Sequence, residues 1–295
     1  MTISKNSSHS LIKSWQTFLY DQGFTEVGTP DGYWGAHTEA ASKAFQQANG
    51  LTADGIVGSG TIATAEKKGF TLPEAKPFAP AGTLNAIFDI SHSNPSADFV
   101  KAKAAGMLAV FHKATQSAGR TAFRDKTYAS RKKEAAAAGL LWGAYHFGSG
   151  DEDGATQADF FLTVAQPDGN TLLVLDFETN TTGSETTMSL EQAKAFISRI
   201  YEQTGKYPGI YGGSWLKEQV RSGADTVLSK CWLWIAEYEL QPILPNGWDK
   251  YTFWQYTDGT HGPGALPVDG IGHCDRDLFN GTAEELAAFW KSNSV

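Results

Sequence analysis

Cysteine is nearly absent. The 295-residue chain has two, Cys231 and Cys274. That is too few for a disulfide scaffold, and no CxxC pair or Cys/His cluster offers a zinc site. Both are read as buried free thiols, to be bridged only if the fold brings them together. Seven histidines show no HExxH spacing, so neither a metal nor another cofactor is expected. No apolar run approaches 18 residues, which excludes a transmembrane helix. Residues 1–10 lack the apolar core of a signal peptide. The chain is therefore expected to be made in the cytoplasm and to reach any outside target by another route. Basic charge is also short: 24 Lys and Arg stand against 32 Asp and Glu, a net −8. A phosphate backbone selects basic surfaces, so nucleic acid is not expected as a partner. Any polymer must instead be held by shaped grooves and aromatic platforms.

What is present is a core-forming composition, 41% hydrophobic and 19% charged, over a length that fits about two domains. Residues 11–66 form a unit. Leu11, Ile12, Trp15, Phe18 and Leu19 fall at helical spacing, as do Ala40, Ala41, Ala44 and Phe45. An internal echo follows D-G-x-x-G-x-x-T twice, at Asp31–Thr38 and Asp54–Thr61. Asp and Gly make a tight turn, the later Gly allows close approach, and the Thr is expected to cap the next helix. Two such loops in so short a unit predict a three-helix bundle. With Ala44-Phe45-Gln46 and Gly50-Leu51, the unit resembles the type 1 peptidoglycan-binding domain. The resemblance implies wall anchoring without catalysis, with Tyr33 and Trp34 as loop candidates for wall contact unless they pack inward. Residues 1–68 are assigned to this domain and the Pro-rich stretch 69–83 to a linker.

From residue 84 to 295, strands and helices alternate. Strands are expected at Ala86–Ile90, Leu108–Lys113, Leu140–Phe147, Leu172–Phe177, Gly209–Gly212, Cys231–Tyr238, Thr252–Tyr256 and Ile271–Asp275. Helices are expected at Ser96–Ala105, Phe123–Ala138, Thr156–Val164 and Leu190–Thr204, with none convincing after about residue 222. This α/β pattern predicts a modified (β/α) barrel of about five βα units followed by three further strands. Functional groups then belong at C-terminal strand ends. The run Leu172-Leu173-Val174-Leu175-Asp176-Phe177-Glu178 stands out. A buried strand ends in two carboxylates on one face, since side chains alternate and two residues rise roughly 6–7 Å.

These strand ends carry a second resemblance. Asp89-Ile90-Ser91, Lys113-Ala114-Thr115, Tyr145-His146-Phe147, Asp176-Phe177-Glu178, Trp234-Ile235-Ala236-Glu237-Tyr238, Trp254-Gln255-Tyr256 and Asp275-Arg276-Asp277-Leu278-Phe279 are similar, in order, to motifs of family 25 glycoside hydrolases, the Chalaropsis-type lysozymes. The pattern departs at Gln116, where that family usually has Glu, and at Cys274 and Asp277, which replace Val and Asn. The resemblance implies a retaining muramidase that cuts the β-1,4 bond between N-acetylmuramic acid and N-acetylglucosamine. It implies Glu178 as general acid and then base, and Asp176 as nucleophile or as orienter of the substrate's acetamido group. Asp89 and Asp275 are supporting acids, Tyr145 and Tyr211 contact the reaction centre, and Trp234 is a sugar-stacking wall. Glycosidic cleavage needs such an acid and carboxylate in any case. A chitinase-like hydrolase and a non-catalytic wall-binding protein are the alternatives. The first lacks its extra aspartates here, because Leu173 and Leu175 occupy their places; the second requires a broken acid set. Peptidoglycan is the expected partner, with a holin or an immunity protein as genomic neighbour, for phage-type release or effector-type secretion respectively.

Overall fold

The computed structural model describes residues 3–4, 7, 9–71, 78–180 and 186–295. The chain divides into two compact units, Met1–Phe78 with His261–Leu266, and Ala79–Thr260 with Pro267–Val295. Of the expected linker, residues 72–77 lie outside the described residues.

The first unit packs helices α1 (His9–Asp21), α2 (Ala36–Ala48) and α3 (Ser59–Glu66). Ile12, Trp15, Phe18 and Leu19 form one stripe of α1 and bury against Ala41, Phe45, Ile62 and Ala65. The Trp15 and Phe45 rings meet edge to face at 5.5 Å.

The repeated loops are held by two buried glutamines. The Gln16 amide donates to Asp31, to the Tyr33 carbonyl and to Thr38, and its oxygen accepts from Gly32 N. Gln46 does the same with Asp54, Ile56, Thr61 and Gly55. Gly32 and Gly55 sit at φ 83° and 78°, a conformation glycine adopts without strain. The threonines do not cap. Gly35 and Gly58 stand at the helix N-caps, with no side-chain cap bond. Thr38 and Thr61 fall in the first turn and turn their hydroxyls to the glutamines.

The second unit runs β1 (Leu84–Ile90), α4 (Phe99–Ala104), β2 (Ala109–Gln116), β3 (Phe123–Arg124), α5 (Tyr128–Ala137), β4 (Leu141–Phe147), α6 (Gly154–Ala165), β5 (Thr171–Asp176), α7 (Leu190–Thr204), β6 (Gly209–Gly212), α8 (Ser214–Gln219), β7 (Trp232–Ala236), β8 (Phe253–Thr257), β9 (Asp275–Phe279) and α9 (Ala283–Asn293). Five strand–helix units thus precede three strands with no α-helix between them. Pairing of β1 with both β2 and β9 closes the ring, and β3 hangs on β2 outside it. Pairs are parallel around the barrel except where β9 runs antiparallel between β8 and β1. Ser189 and Gln192 form the capping box that starts α7.

Three expectations need correction. The stretch 123–138 is not one helix, because Phe123 and Arg124 pair with Gln116 and Thr115. The last strand begins at Asp275 rather than ending there. Gly272, at φ 94°, donates its N–H back to the Val268 carbonyl, so extended backbone starts only beyond that turn. Helix α9 was not expected, yet Thr282 and Glu285 give it a capping box.

The barrel interior is packed, not hollow. Phe111, Leu172, Val174, Trp234, Phe253 and Phe279 from the strands join Leu286 and Trp290 of α9 in one cluster. The Trp290 indole donates to the Asn170 carbonyl, just before β5. Helix α9 therefore plugs the end of the barrel where the parallel strands begin, leaving the opposite end to open. A Cβ on Gly143 or Gly209 would run into Phe111 or Trp232, so those glycines make room for the inward rings.

Candidate active site

Strand β5 is buried along its whole length, as its Leu/Val run requires. Asp176 is its last residue. Phe177 turns to the opposite face, fully buried, and its N–H donates to the Tyr211 carbonyl of β6 at 2.8 Å. That anchors the backbone as it leaves the sheet and carries Glu178 onto the face of Asp176. Of the polar run that follows, residues 181–185 lie outside the described residues.

Asp176 and Glu178 line a cleft of about 260 Å³ at this end of the barrel, and Asp89 and Asp275 line it with them. Asp275 arrives by an inverted route. Because β9 is antiparallel, its first residue lies at the end where the parallel strands finish, paired with Asp89 of β1. Tyr145 and Tyr211 are also in the lining. Trp234 contributes only to the floor: it is 2% exposed, packs on Phe111 at 4.4 Å, and donates its indole N–H to Asp277. The expected stacking wall is therefore not met by Trp234. In the first unit Tyr33 is 61% exposed, whereas Trp34 is partly buried and packs against the core. Cys231 and Cys274 are buried and unpaired.

The electrostatics follow from crowding acids into a place with little water. Burial pushes Glu178 up, opposed by the Lys113 ammonium. Burial and then the Glu178 charge push Asp176 up, again against Lys113. Asp89 is raised well above the ordinary carboxylate range by burial, with Asp275 and Asp277 adding to it. Asp275 is pushed up to about 7, chiefly by burial. Crowded and buried in this way, the carboxyls are hard to ionise together, which is the condition for one carboxyl to act as acid beside another acting as base. One oxygen of Asp176 is buried with no hydrogen-bond partner among the described residues.

Sequence reasoning passed over the group that ties the site together. Gln255 of β8 donates to Asp89 at 2.7 Å, and its oxygen accepts from both Tyr211 and Tyr238 hydroxyls at 2.8 Å. It was visible as a strand-end polar residue, but its partners are up to 166 positions away. Lys113 and Tyr238 stand in the strand-end motifs without an assigned role, and both line the cleft.

Residues 88–265 match the family of glycosyl hydrolases family 25. This chain belongs to that family. Residues 8–64 match the putative peptidoglycan binding domain. Lysozyme M1 of Streptomyces globisporus is 31% identical over 230 residues, 73% of this chain and 75% of that protein. The N,O-diacetylmuramidase of Arthroderma benhamiae is 30% identical over 242 residues, 78% of this chain and 97% of that protein. Among solved structures, a family 25 lysozyme from Aspergillus fumigatus superposes with a TM-score of 0.60 at 30% identity, covering 72% of this chain and all of that one. Family membership and the cleft agree on location: the matched region contains Asp89, Asp176 and Glu178, and the antiparallel strand beyond it brings Asp275.

Proposed function

We propose that this chain is a muramidase. It hydrolyses the β-1,4 bond between N-acetylmuramic acid and N-acetylglucosamine with retention, while its helical unit binds peptidoglycan. The observation that carries the reading is the four-carboxyl cleft around Asp176 and Glu178 at the open end of a family 25 barrel. Glu178, half-buried and raised by that burial, protonates the leaving oxygen and then deprotonates the incoming water. Asp176 meets the positive charge that builds on the sugar. Direct attack on C1 and orientation of the substrate's 2-acetamido group would both use its unpartnered oxygen, and trapping a glycosyl-enzyme separates the two. Asp89, fixed by Gln255, and Asp275 are the supporting acids of the set.

Peptidoglycan and chitin supplied side by side test the reading. Release of soluble fragments from peptidoglycan alone supports it, and equal or preferred cleavage of chitin contradicts it. Tyr33, on the exposed tip of the first repeated loop, is the proposed wall contact of the helical unit. The proposal extends to setting: cytoplasmic synthesis followed by phage-type release or effector-type secretion onto the wall. A holin gene or an immunity gene beside the coding sequence would tell those routes apart.

A further inference from the structure

A second space, of about 280 Å³, opens beside the cleft, and Glu178, Tyr211 and Tyr238 line both. Of the four cleft carboxyls, this groove takes in Glu178 and none of Asp89, Asp176 and Asp275. Another part of it is built where the chain leaves β6. A Cβ on Gly212 would stand 2.7 Å from the Phe177 carbonyl, and one on Gly213 would stand 3.1 Å from the Ala236 carbonyl. Glycine at both positions lets α8 start close against the ends of β5 and β7. That start carries Trp215 into the groove lining. The Trp215 indole N–H donates to the Met188 carbonyl at 3.3 Å, and Phe177 meets the ring edge to face at 6.3 Å. The ring is half-buried, so it is pinned while part of it stays open. Glu237, the first residue beyond β7, lines the same groove. Its Oε2 accepts from Lys217 Nζ at 2.6 Å and from Ile243 N at 2.7 Å, and its Oε1 makes no bond to a described residue.

We propose that this groove is the subsite for the leaving sugar, with Trp215 as the stacking platform that Trp234 does not provide and Glu237 as a fixed acceptor. The inference rests on the muramidase reading with Glu178 as the acid. The acid gives its proton to the oxygen that departs. A space that holds the acid but not the other three carboxyls therefore receives the sugar carried by that oxygen. In a muramidase that sugar is N-acetylglucosamine. A pyranose shows a face of C–H groups, and an indole face covers it with large apolar area. Around its edge the sugar carries hydroxyls and an acetamido N–H, all of them donors that a carboxylate oxygen accepts. The indole is pinned by Met188 and the carboxylate by Lys217 and Ile243 N, so little side-chain freedom is lost when the sugar arrives. Contacts to this sugar keep the glycosidic oxygen at Glu178 while the bond breaks, so they act on the rate as well as on binding.

The test compares kcat/KM for the full chain and its Trp215→Ala, Trp215→Phe and Glu237→Ala variants on two substrates with the same glycone. One is a glycan tetrasaccharide of alternating N-acetylglucosamine and N-acetylmuramic acid. The other is the β-fluoride of N-acetylglucosaminyl-N-acetylmuramic acid, whose departing fluoride is too small to occupy the groove. Trp215→Ala is expected to lose roughly ten- to a hundredfold on the tetrasaccharide and no more than a few fold on the fluoride. Trp215→Phe keeps a ring in the groove and is expected to recover most of that loss. Glu237→Ala is expected to lose about fivefold, again mainly on the tetrasaccharide. Hydrolysis of the fluoride reports an intact catalytic cleft in each variant. Losses of equal size on both substrates, or no loss on the tetrasaccharide, would overturn the assignment of the residue substituted. Failure of the muramidase reading is seen separately, as hydrolysis of neither substrate by the unsubstituted chain.

Discussion

The helical unit and the barrel both bury polar side chains, and they treat them in opposite ways. Gln16 and Gln46 are neutral, are almost fully buried, and use donor and acceptor alike on the loops they hold. Nothing in either amide is left over, so the loops are fixed and only side chains such as Tyr33 face outward. The cleft gathers Asp89, Asp176, Glu178 and Asp275, with Asp277 behind them, and pushes all five above their ordinary range. A satisfied neutral network is scaffold. A crowd of buried acids costs stability and persists where chemistry uses it.

Substitutions can break each half of that comparison. Glu178→Gln keeps shape and removes the proton donor, so wall lysis is expected to fall by about a thousandfold or more, with melting temperature and wall co-sedimentation unchanged. Near-normal lysis would sink the acid assignment. Gln255→Leu frees Asp89, Tyr211 and Tyr238 together. A kcat loss of about ten- to a hundredfold is expected, larger than any change in KM, as an interaction needed mainly in the transition state would show. Gln46→Leu should act on the other unit. It removes the bonds to Asp54, the Ile56 carbonyl and Thr61 and leaves the buried Gly55 N–H without the Gln46 oxygen, which should destabilise that unit by about 2–3 kcal/mol. Binding to insoluble wall should drop while turnover of short soluble fragments stays, because tethering helps only on the polymer. Equal losses on both substrates would contradict the division of labour.

Asp277→Asn gives a smaller effect with a definite sign. The Asp277 carboxyl is raised in the folded chain, mainly by burial, and ionises at its ordinary value once unfolded. Its contribution therefore lowers stability as pH climbs from the ordinary carboxylate range toward the folded value. Asparagine keeps an oxygen for the Trp234 indole and cannot ionise. Denaturant unfolding should find the variant equal to its parent near pH 4 and more stable at pH 8; the reverse order would refute the buried-acid account. Tyr33→Ala should be the mildest, weakening wall binding a few fold without moving the melting temperature.

Much of this was legible along the chain. The βα alternation places the functional face, and an apolar run that stops at Asp-Phe-Glu marks the strand end on which the chemistry sits. What escaped depends on direction and distance. The polar beginning of β9, Asp-Arg-Asp, looks like loop, because nothing local shows that it runs against its neighbours with Asp277 buried. The threonines of the repeated loops look like caps until the glutamines that claim them are seen. Trp234 looks like a sugar platform by residue type, and only the packing on Phe111 and Tyr211 makes it floor. The register shift on β2, where Lys113 and Thr115 pair with the consecutive residues Tyr145 and His146, leaves no local mark.

The most direct measurement is the identity of the new reducing ends. Purified wall is digested by the full chain, the products are reduced with borohydride, and the amino sugar alcohols are separated. Reduced N-acetylmuramic acid, appearing in step with loss of turbidity, is the expected product. Reduced N-acetylglucosamine, or falling turbidity with no new reducing ends, would contradict a muramidase.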